Sequence, residues 1–289
     1  MTSTPTKWLI LSAITLCFSS TIALSQPLIK VCSFNIRFNN PKDAPNDWPA
    51  RKDKVTSQLL FHEVDIIGVQ EALHGQLQDM LSMMPGYRYT GVGRDDGKEV
   101  GEYSCIFYNT QKFELLASQT FWLSLTPTVA GSKSWDAAIT RIVTWARFKE
   151  KKSGRRFMVF NTHFDHVGKE ARRQSAHLLL RAIDSLRGGL PAIVTGDFNA
   201  TPADEPMQVL TQPNNPLALQ YAKNLSKRGH YGPTGTFNGF GPKEQSDEPI
   251  DHILLKGKWL VEQHATLSQT WQGRFASDHF AVMAVLKLK

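Results

Sequence analysis

The chain has 289 residues, of which 41% are hydrophobic and 20% charged, a balance that excludes a disordered chain. A chain of this length buries a substantial core without covalent help, which excludes a miniature dependent on disulfides. Lys and Arg number 33 against 26 Asp and Glu, for a net charge of +7; this modest excess suits an anionic partner, and no run of like charge is long enough to form a polybasic tail.

Lys7, the apolar run Trp8–Phe18 and the small-x-small Ala23-Leu24-Ser25 have the form of a secretory signal peptide. The apolar run is short for a spanning helix. Residues 1–25 are therefore expected to be cleaved, with one domain over 26–289, secreted or periplasmic. Leu16 is a poor fit to the small residue that lipidation of Cys17 requires, and no stable membrane insertion is expected. Cleavage removes Lys7 and leaves 32 basic against 26 acidic residues. Cys32 and Cys105 remain. Export permits a disulfide, but both lie in apolar strand-like runs, where buried free thiols are the commoner outcome.

Leu28–Ile36 reads as the first strand. Asp47-Trp48-Pro49 opens a helix to about His62, with Asp as N-cap and Pro in the first turn. Asp65–Gln70 is a short strand. Leu77, Met80, Leu81 and Met84 follow i, i+3, i+4, i+7 and predict a helix over His74–Met84. Strands follow near Tyr87–Val92, Tyr103–Tyr108, Phe113–Trp122, Ile139–Phe148 and Phe157–Phe164. Lys149, Lys151, Lys152, Arg155 and Arg156 surround Gly154 as a solvated hairpin tip. A third helix spans Lys169–Arg187, with Arg187 at the negative end of its dipole and Gly188-Gly189 ending it. The buried run Pro191–Val194 leads into Thr195-Gly196-Asp197-Phe198-Asn199. Pro, Asn and Gly punctuate Thr201–Pro249, and strands near His252–Leu255, Trp259–Leu267 and Phe280–Leu288 close the chain. There is no repeat and no low-complexity linker, so mixed sheets with outer helices in one domain are expected.

Asp197 and Asn199 stand two apart at the end of a buried strand, so an extended backbone points them to one side. A carboxylate and an amide there are costly unless they hold a metal, a water or a substrate. Other strand ends repeat the pattern: Asn35 in Ser33-Phe34-Asn35-Ile36-Arg37, Glu71 in Val69-Gln70-Glu71, and His163 in Asn161-Thr162-His163. Asp251 in Ile250-Asp251-His252 and Ser277-Asp278-His279 begin the late strands. Taken singly, a strand-end Asp is more often a turn or cap residue. Together these groups suit hard-cation or phosphate chemistry, and none forms a thiolate site.

These motifs, in this order, resemble those of the endonuclease/exonuclease/phosphatase superfamily, with its deoxyribonuclease-I-like fold. The resemblance runs from about residue 30 to the C-terminus. Gly-Asp-Phe-Asn with a terminal Ser-Asp-His is highly specific. Gly91–Gly97, Phe121–Ser124 and Arg141–Trp145 resemble a secreted bacterial subgroup that narrows the fold more than the substrate.

The resemblance implies an α+β fold, a four-layer αββα sandwich of two packed mixed sheets flanked by helices, and Mg²⁺- or Mn²⁺-dependent hydrolysis of a phosphate ester. It places Glu71 as central metal ligand, with Asn35 beside it and Asp278 contributing. Asp197 would orient or deprotonate the attacking water, Asn199 would hold that water or a phosphate oxygen, and Asp251 would support the same water or a second cation. His163 and His279 would donate to phosphate oxygens. Arg141, Tyr108 and His166 are candidates for binding phosphate or substrate, and Asp165 lies on His163's side if that strand continues. Trp122, Trp135 and Phe237 are candidates for a cleft wall, though strand aromatics are more often core. The expected partner is an anionic ester, whether nucleic acid, a small sugar or inositol phosphate, or third a sphingomyelin-like lipid, acted on by a monomer. A binding module that has lost catalysis would lack acidic or histidine positions that are all present here.

Overall fold

In the computed structural model, residues 28–241 and 246–288, with 1, 2 and 4, are described. The leader run, Cys17 and the cleavage site lie outside the described residues. The elements in order are β1 (Leu28–Asn35), α1 (Trp48–Phe61), β2 (Ile66–Ala72), α2 (His74–Met83), β3 (Tyr87–Thr90), β4 (Tyr103–Asn109), β5 (Phe113–Trp122), β6 (Ile142–Glu150), β7 (Arg156–His163) and α3 (Lys169–Arg187). Then come β8 (Ala192–Asp197), α4 (Glu205–Thr211), β9 (Gln220–Tyr221), α5 (Ala222–Leu225), β10 (His230–Tyr231), β11 (Asp251–Lys256), β12 (Trp259–Leu267), β13 (Thr270–Trp271), β14 (Arg274–Phe275) and β15 (Ala281–Leu288).

The strands form a seven-stranded sheet in the order β10-β12-β15-β1-β2-β4-β3 and a six-stranded sheet β5-β6-β7-β8-β11-β9. Alternation along each strand sorts its side chains into layers. In β1, Ile29 and Val31 face the second sheet, together with Ile66, Ile106, Val159, Ile193 and Ile253. Cys32 and Phe34 face the other way, into a layer with Val55, Leu59, Leu77 and Met80 of α1 and α2. On the outer side of the second sheet, Phe160 and Val194 meet Leu179, Leu180 and Ile183 of α3 and Met207 of α4. The result is the expected αββα sandwich.

One topological fact positions the site. β1 and β2 are parallel and joined through α1, and β7 and β8 are parallel and joined through α3. Both pairs therefore end at the same edge of the sandwich. Their antiparallel neighbours β15, β4, β6 and β11 begin there. Six strand ends with polar residues thus converge from distant parts of the sequence.

Most elements lie within a few residues of expectation, and α3 spans Lys169–Arg187 as read, ending at left-handed Gly188. β6 starts at Ile142 rather than Ile139 because the Asp165 carboxylate takes the backbone N–H groups of Ala138 and Ile139 and holds them outside the sheet. The Thr201–Pro249 region contains α4 and α5 besides two short strands. Cys32 and Cys105 are buried free thiols, each pushed far up by burial. The basic hairpin tip around Gly154 precedes β7, at the opposite end from His163. No helix among the described residues is long and apolar enough to cross a membrane.

Candidate active site

Sheet register aligns three of the functional side chains. His163 on β7 pairs with Asp197 on β8, and Asp197 pairs in turn with Asp251 on β11. From the first sheet, Asn35 Nδ2 donates to Glu71 Oε1 at 2.9 Å and to Asp197 Oδ2 at 2.9 Å, so one amide ties the two sheets at the site. His279 Nδ1 donates to Asp251 Oδ2 at 2.8 Å, and its Nε2 lies 3.8 Å from Asp197 Oδ2. Asn35, His163, Asp197, Asp251, Asp278 and His279 are all buried, while Glu71 is half-buried.

Backbone strain is concentrated here. Glu71 has φ 64°, Arg37 φ 56° and Asn199 φ 46°, in the left-handed region that side chains rarely adopt. Asp197 and Asn199 therefore do not share a side by strand alternation: β8 ends at Asp197, and a tight turn brings Asn199 back. Its N–H donates to Asp197 Oδ1 at 2.9 Å, and its Nδ2 reaches both Phe164 O and His163 Nε2 at 3.0 Å.

The two imidazoles are held in opposite states. His279 is buried, which opposes its charge, but Asp251 and Asp197 hold it well above the ordinary imidazole value. Burial, with Arg141 and His279 nearby, pushes His163 well below it. A neutral His163 accepts at Nε2 from Asn199, whose amide is oriented by Phe164 O, so its proton lies on Nδ1. His163 Nε2 also lies 3.4 Å from Asp197 Oδ2. Burial and the Asp251 carboxylate push Asp197 up to about 7, against the pull of His279, Asn35 and the Asn199 N–H.

A divalent cation fits this donor set. Glu71, His163 and Asp197 offer ligand atoms within 4.8 Å of one another; Asp251 and His279 lie as close to Asp197, but a protonated His279 donates there and does not ligate. Asp251 Oδ1 is buried with no partner. The Asn35 Nδ2 donor sits between the Glu71 and Asp197 carboxylates, and Arg37 lies 3.9 Å from Glu71 and 3.7 Å from Asp278. Clustered carboxylates of this kind favour a hard cation. Asp278 stands outside both three-residue groups, beside Arg37.

The cleft over this floor has a volume of about 780 Å³ and includes Arg141, His166 and Phe237 in its walls. Arg141 is buried, its Nε 3.9 Å from Asp165 Oδ2, with Nε and Nη1 lacking hydrogen-bond partners, and its Nη2 meets His166 Nδ1 at 3.2 Å. Tyr108 is a correction. β4 runs antiparallel to β2, so Tyr103 pairs with Ala72 near the site, whereas Tyr108 pairs with Ile66 at the far end and packs on Phe148 in the core. Asp165 is also outside the cleft lining: four backbone N–H groups, of Ala138, Ile139, Val167 and Gly168, surround its carboxylate. Trp122 is a buried core residue that donates to Arg94 O, and Trp135 does not line the cleft.

Sequence reasoning missed Arg37, Phe38, Asp43, Glu102 and Phe240 in the walls, and Arg51 beneath them. Arg51 is fully buried without a carboxylate partner. Its guanidinium donates to the carbonyls of Asn46, Ile36, Arg37 and Ala276, pinning the end of β1 to the approach to Asp278. Arg37 and Phe38 lie two and three residues after Asn35, a proximity that could have marked them.

A sequence profile of the Endonuclease/Exonuclease/phosphatase family matches residues 32–279. An endonuclease/exonuclease/phosphatase of Bacteroides vulgatus is 42% identical with a TM-score of 0.87, covering 91% of this chain and 100% of that one. A mannosyl-6-phosphatase of Bacteroides thetaiotaomicron VPI-5482 is 39% identical with a TM-score of 0.86, covering 90% of this chain and 100% of that one. An uncharacterized protein of Acanthamoeba polyphaga mimivirus, L388, is 29% identical over 274 residues, or 90% of this chain and 100% of that protein.

Proposed function

The chain belongs to the endonuclease/exonuclease/phosphatase family, and from that premise we propose that it is an exported phosphatase that uses a divalent cation to hydrolyse a sugar phosphate monoester. The observation that carries the monoester reading is Arg141. Its buried guanidinium has Asp165 at 3.9 Å but no hydrogen bond to it, and the two nitrogens left without hydrogen-bond partners in a cleft wall are matched by the doubly charged phosphoryl group of a monoester. A cleft of about 780 Å³ suits a small molecule. The basic tip around Gly154 lies at the opposite end of the strands, away from where a polyanion would be cut. The likeness to a mannosyl-6-phosphatase supports the sugar.

In this reading water attacks phosphorus, the ester P–O bond breaks, and phosphate and the free alcohol leave. Asp197, poised at about 7, accepts the proton of that water. Asn199 orients the Asp197 carboxylate through its N–H. His279, kept protonated by Asp251, donates from Nε2 to a non-bridging phosphoryl oxygen, and Arg141 takes another. Glu71, with Asn35 and Asp278 beside it, would hold Mg²⁺ or Mn²⁺, which would supply a Lewis acid to offset charge on the phosphoryl oxygens. Residues 1–25 direct export and are removed.

The test is a parallel assay of metal-stripped and Mg²⁺-restored protein on mannose 6-phosphate, inositol phosphate, bis-nitrophenyl phosphate, DNA and sphingomyelin. Hydrolysis is expected to vanish in chelator, return with Mg²⁺ and favour the monoesters. Full activity in chelator, or preference for DNA or a diester, overturns the proposal.

A further inference from the structure

The cleft is chemically two-sided, and sheet order sets the sides. In the first sheet β4 and β15 flank the central pair β2 and β1; in the second, β6 and β11 flank β7 and β8. The β4 and β6 side brings Glu102, Arg141 and His166, which are polar or charged, with Ile139 beside them. The β11 and β15 side brings Ile250, Phe237, Gly239 and Phe240, with Phe38 following β1. Phe38, Phe237 and Phe240 are each only half-buried. Large rings left partly open beside buried catalytic groups are available to a ligand.

Phe240 is held in place at a cost. It has φ 63°, which is strained for an aromatic residue. The loop that imposes this angle is tied to the catalytic strand. The N–H groups of Asn238 and Gly239 donate to Asp278 O, Asn238 Nδ2 donates to Ser277 O, and Phe240 N donates to Asn238 Oδ1 at 2.9 Å. Beneath the ring lies the buried Arg51 guanidinium, 5.4 Å from its centroid. Phe237 packs edge-on against His279 at 5.1 Å. Phe38 carries the Arg37 guanidinium at 4.5 Å, and Asp43 grips that guanidinium from the far side. Strain of this kind persists where the surroundings over-determine it, most often at ligand clamps.

We propose that Phe38 and Phe240 form a leaving-group subsite that stacks the apolar face of a pyranose ring, while the Arg37–Asp43 pair meets its hydroxyls. This rests on the monoester reading and adds the direction in which the substrate lies. The phosphoryl group points toward Arg141 and the sugar toward β11 and β15.

The test compares glucose 6-phosphate with glycerol phosphate, an ester without a ring, in wild type, Phe38→Ala and Phe240→Gly. Glycine relieves the strained angle, so Phe240→Gly should keep the thermal melt while removing the ring. The ratio of kcat/KM for the ring ester over the ringless ester should fall about three- to tenfold in each variant, the scale of one stacking contact. Phe240→Tyr should restore it. Calorimetric affinity of the metal-stripped protein for glucose 6-phosphate relative to inorganic phosphate measures the same preference without turnover. A failure of hydrolysis and a failure of the subsite are therefore read separately. An unchanged ratio in both variants, by turnover or by affinity, overturns the subsite.

Discussion

Asp197 carries a charge that its own surroundings oppose. Its folded value of about 7 lies above the ordinary 3.8, so its effect on stability is fully favourable below 3.8 and is lost as pH rises through 7. Metal-free Asp197→Asn should therefore melt higher than wild type at pH 8 and no higher at pH 4, while hydrolysis falls at least about a hundredfold. Equal melts at pH 8, or retained turnover, would count against the role given to this carboxylate. The residue types of the site were legible because acid, amide and imidazole groups at apolar strand ends are conspicuous. Their geometry was less so. Asn199 reaches the site by a left-handed turn, not by alternation, and Tyr108 was misplaced because a motif does not reveal which way β4 runs. Arg51 was invisible: its partners are carbonyls as distant as Ala276, and backbone acceptors leave no trace in composition.

At the scale of elements, apolar alternation made the strands readable, whereas α4 was overlooked because seven residues with Pro206 near their start show barely two turns of pattern. What joins the elements beneath the site is polar. Asn161 on β7 donates to Val69 O and Cys105 O of the facing sheet, and accepts from Gln70 Nε2 at 2.7 Å and Thr195 Oγ1 at 3.0 Å. Gly68 leaves the room for this network, since a Cβ there would press on Thr195 Oγ1 and Asn161 Oδ1. Gly68→Ala should cost about 1–3 kcal/mol in urea unfolding, the usual price of overpacking. A variant as stable as wild type would show that the network yields freely.

For the whole molecule, a buried histidine lining a cavity behind Asp251 ties stability to acidity. His264 on β12 meets His230 on β10 through their Nδ1 atoms at 2.9 Å, and burial, with His230, Lys223 and His252 near, pushes it down to about 3. Because this folded value lies below 6.5, the stabilisation is whole above 6.5 and is lost as pH falls toward 3. Below 6.5 this ring should cost about 1.4 kcal/mol per pH unit. His264→Gln should flatten the fall of the melting temperature between pH 6.5 and 4.5, and parallel slopes would refute the assignment.

The order of strands in the first sheet has a further consequence. β15 follows every other described element, yet it lies between β12 and β1 near the middle of that sheet and is preceded directly by Asp278 and His279. A ribosome making this chain from its N-terminus releases nearly all of it before β1 gains one neighbour and the reacting groups their last members. A polypeptide that stops short of Asp278 is therefore expected to hydrolyse nothing, whatever else of it has folded.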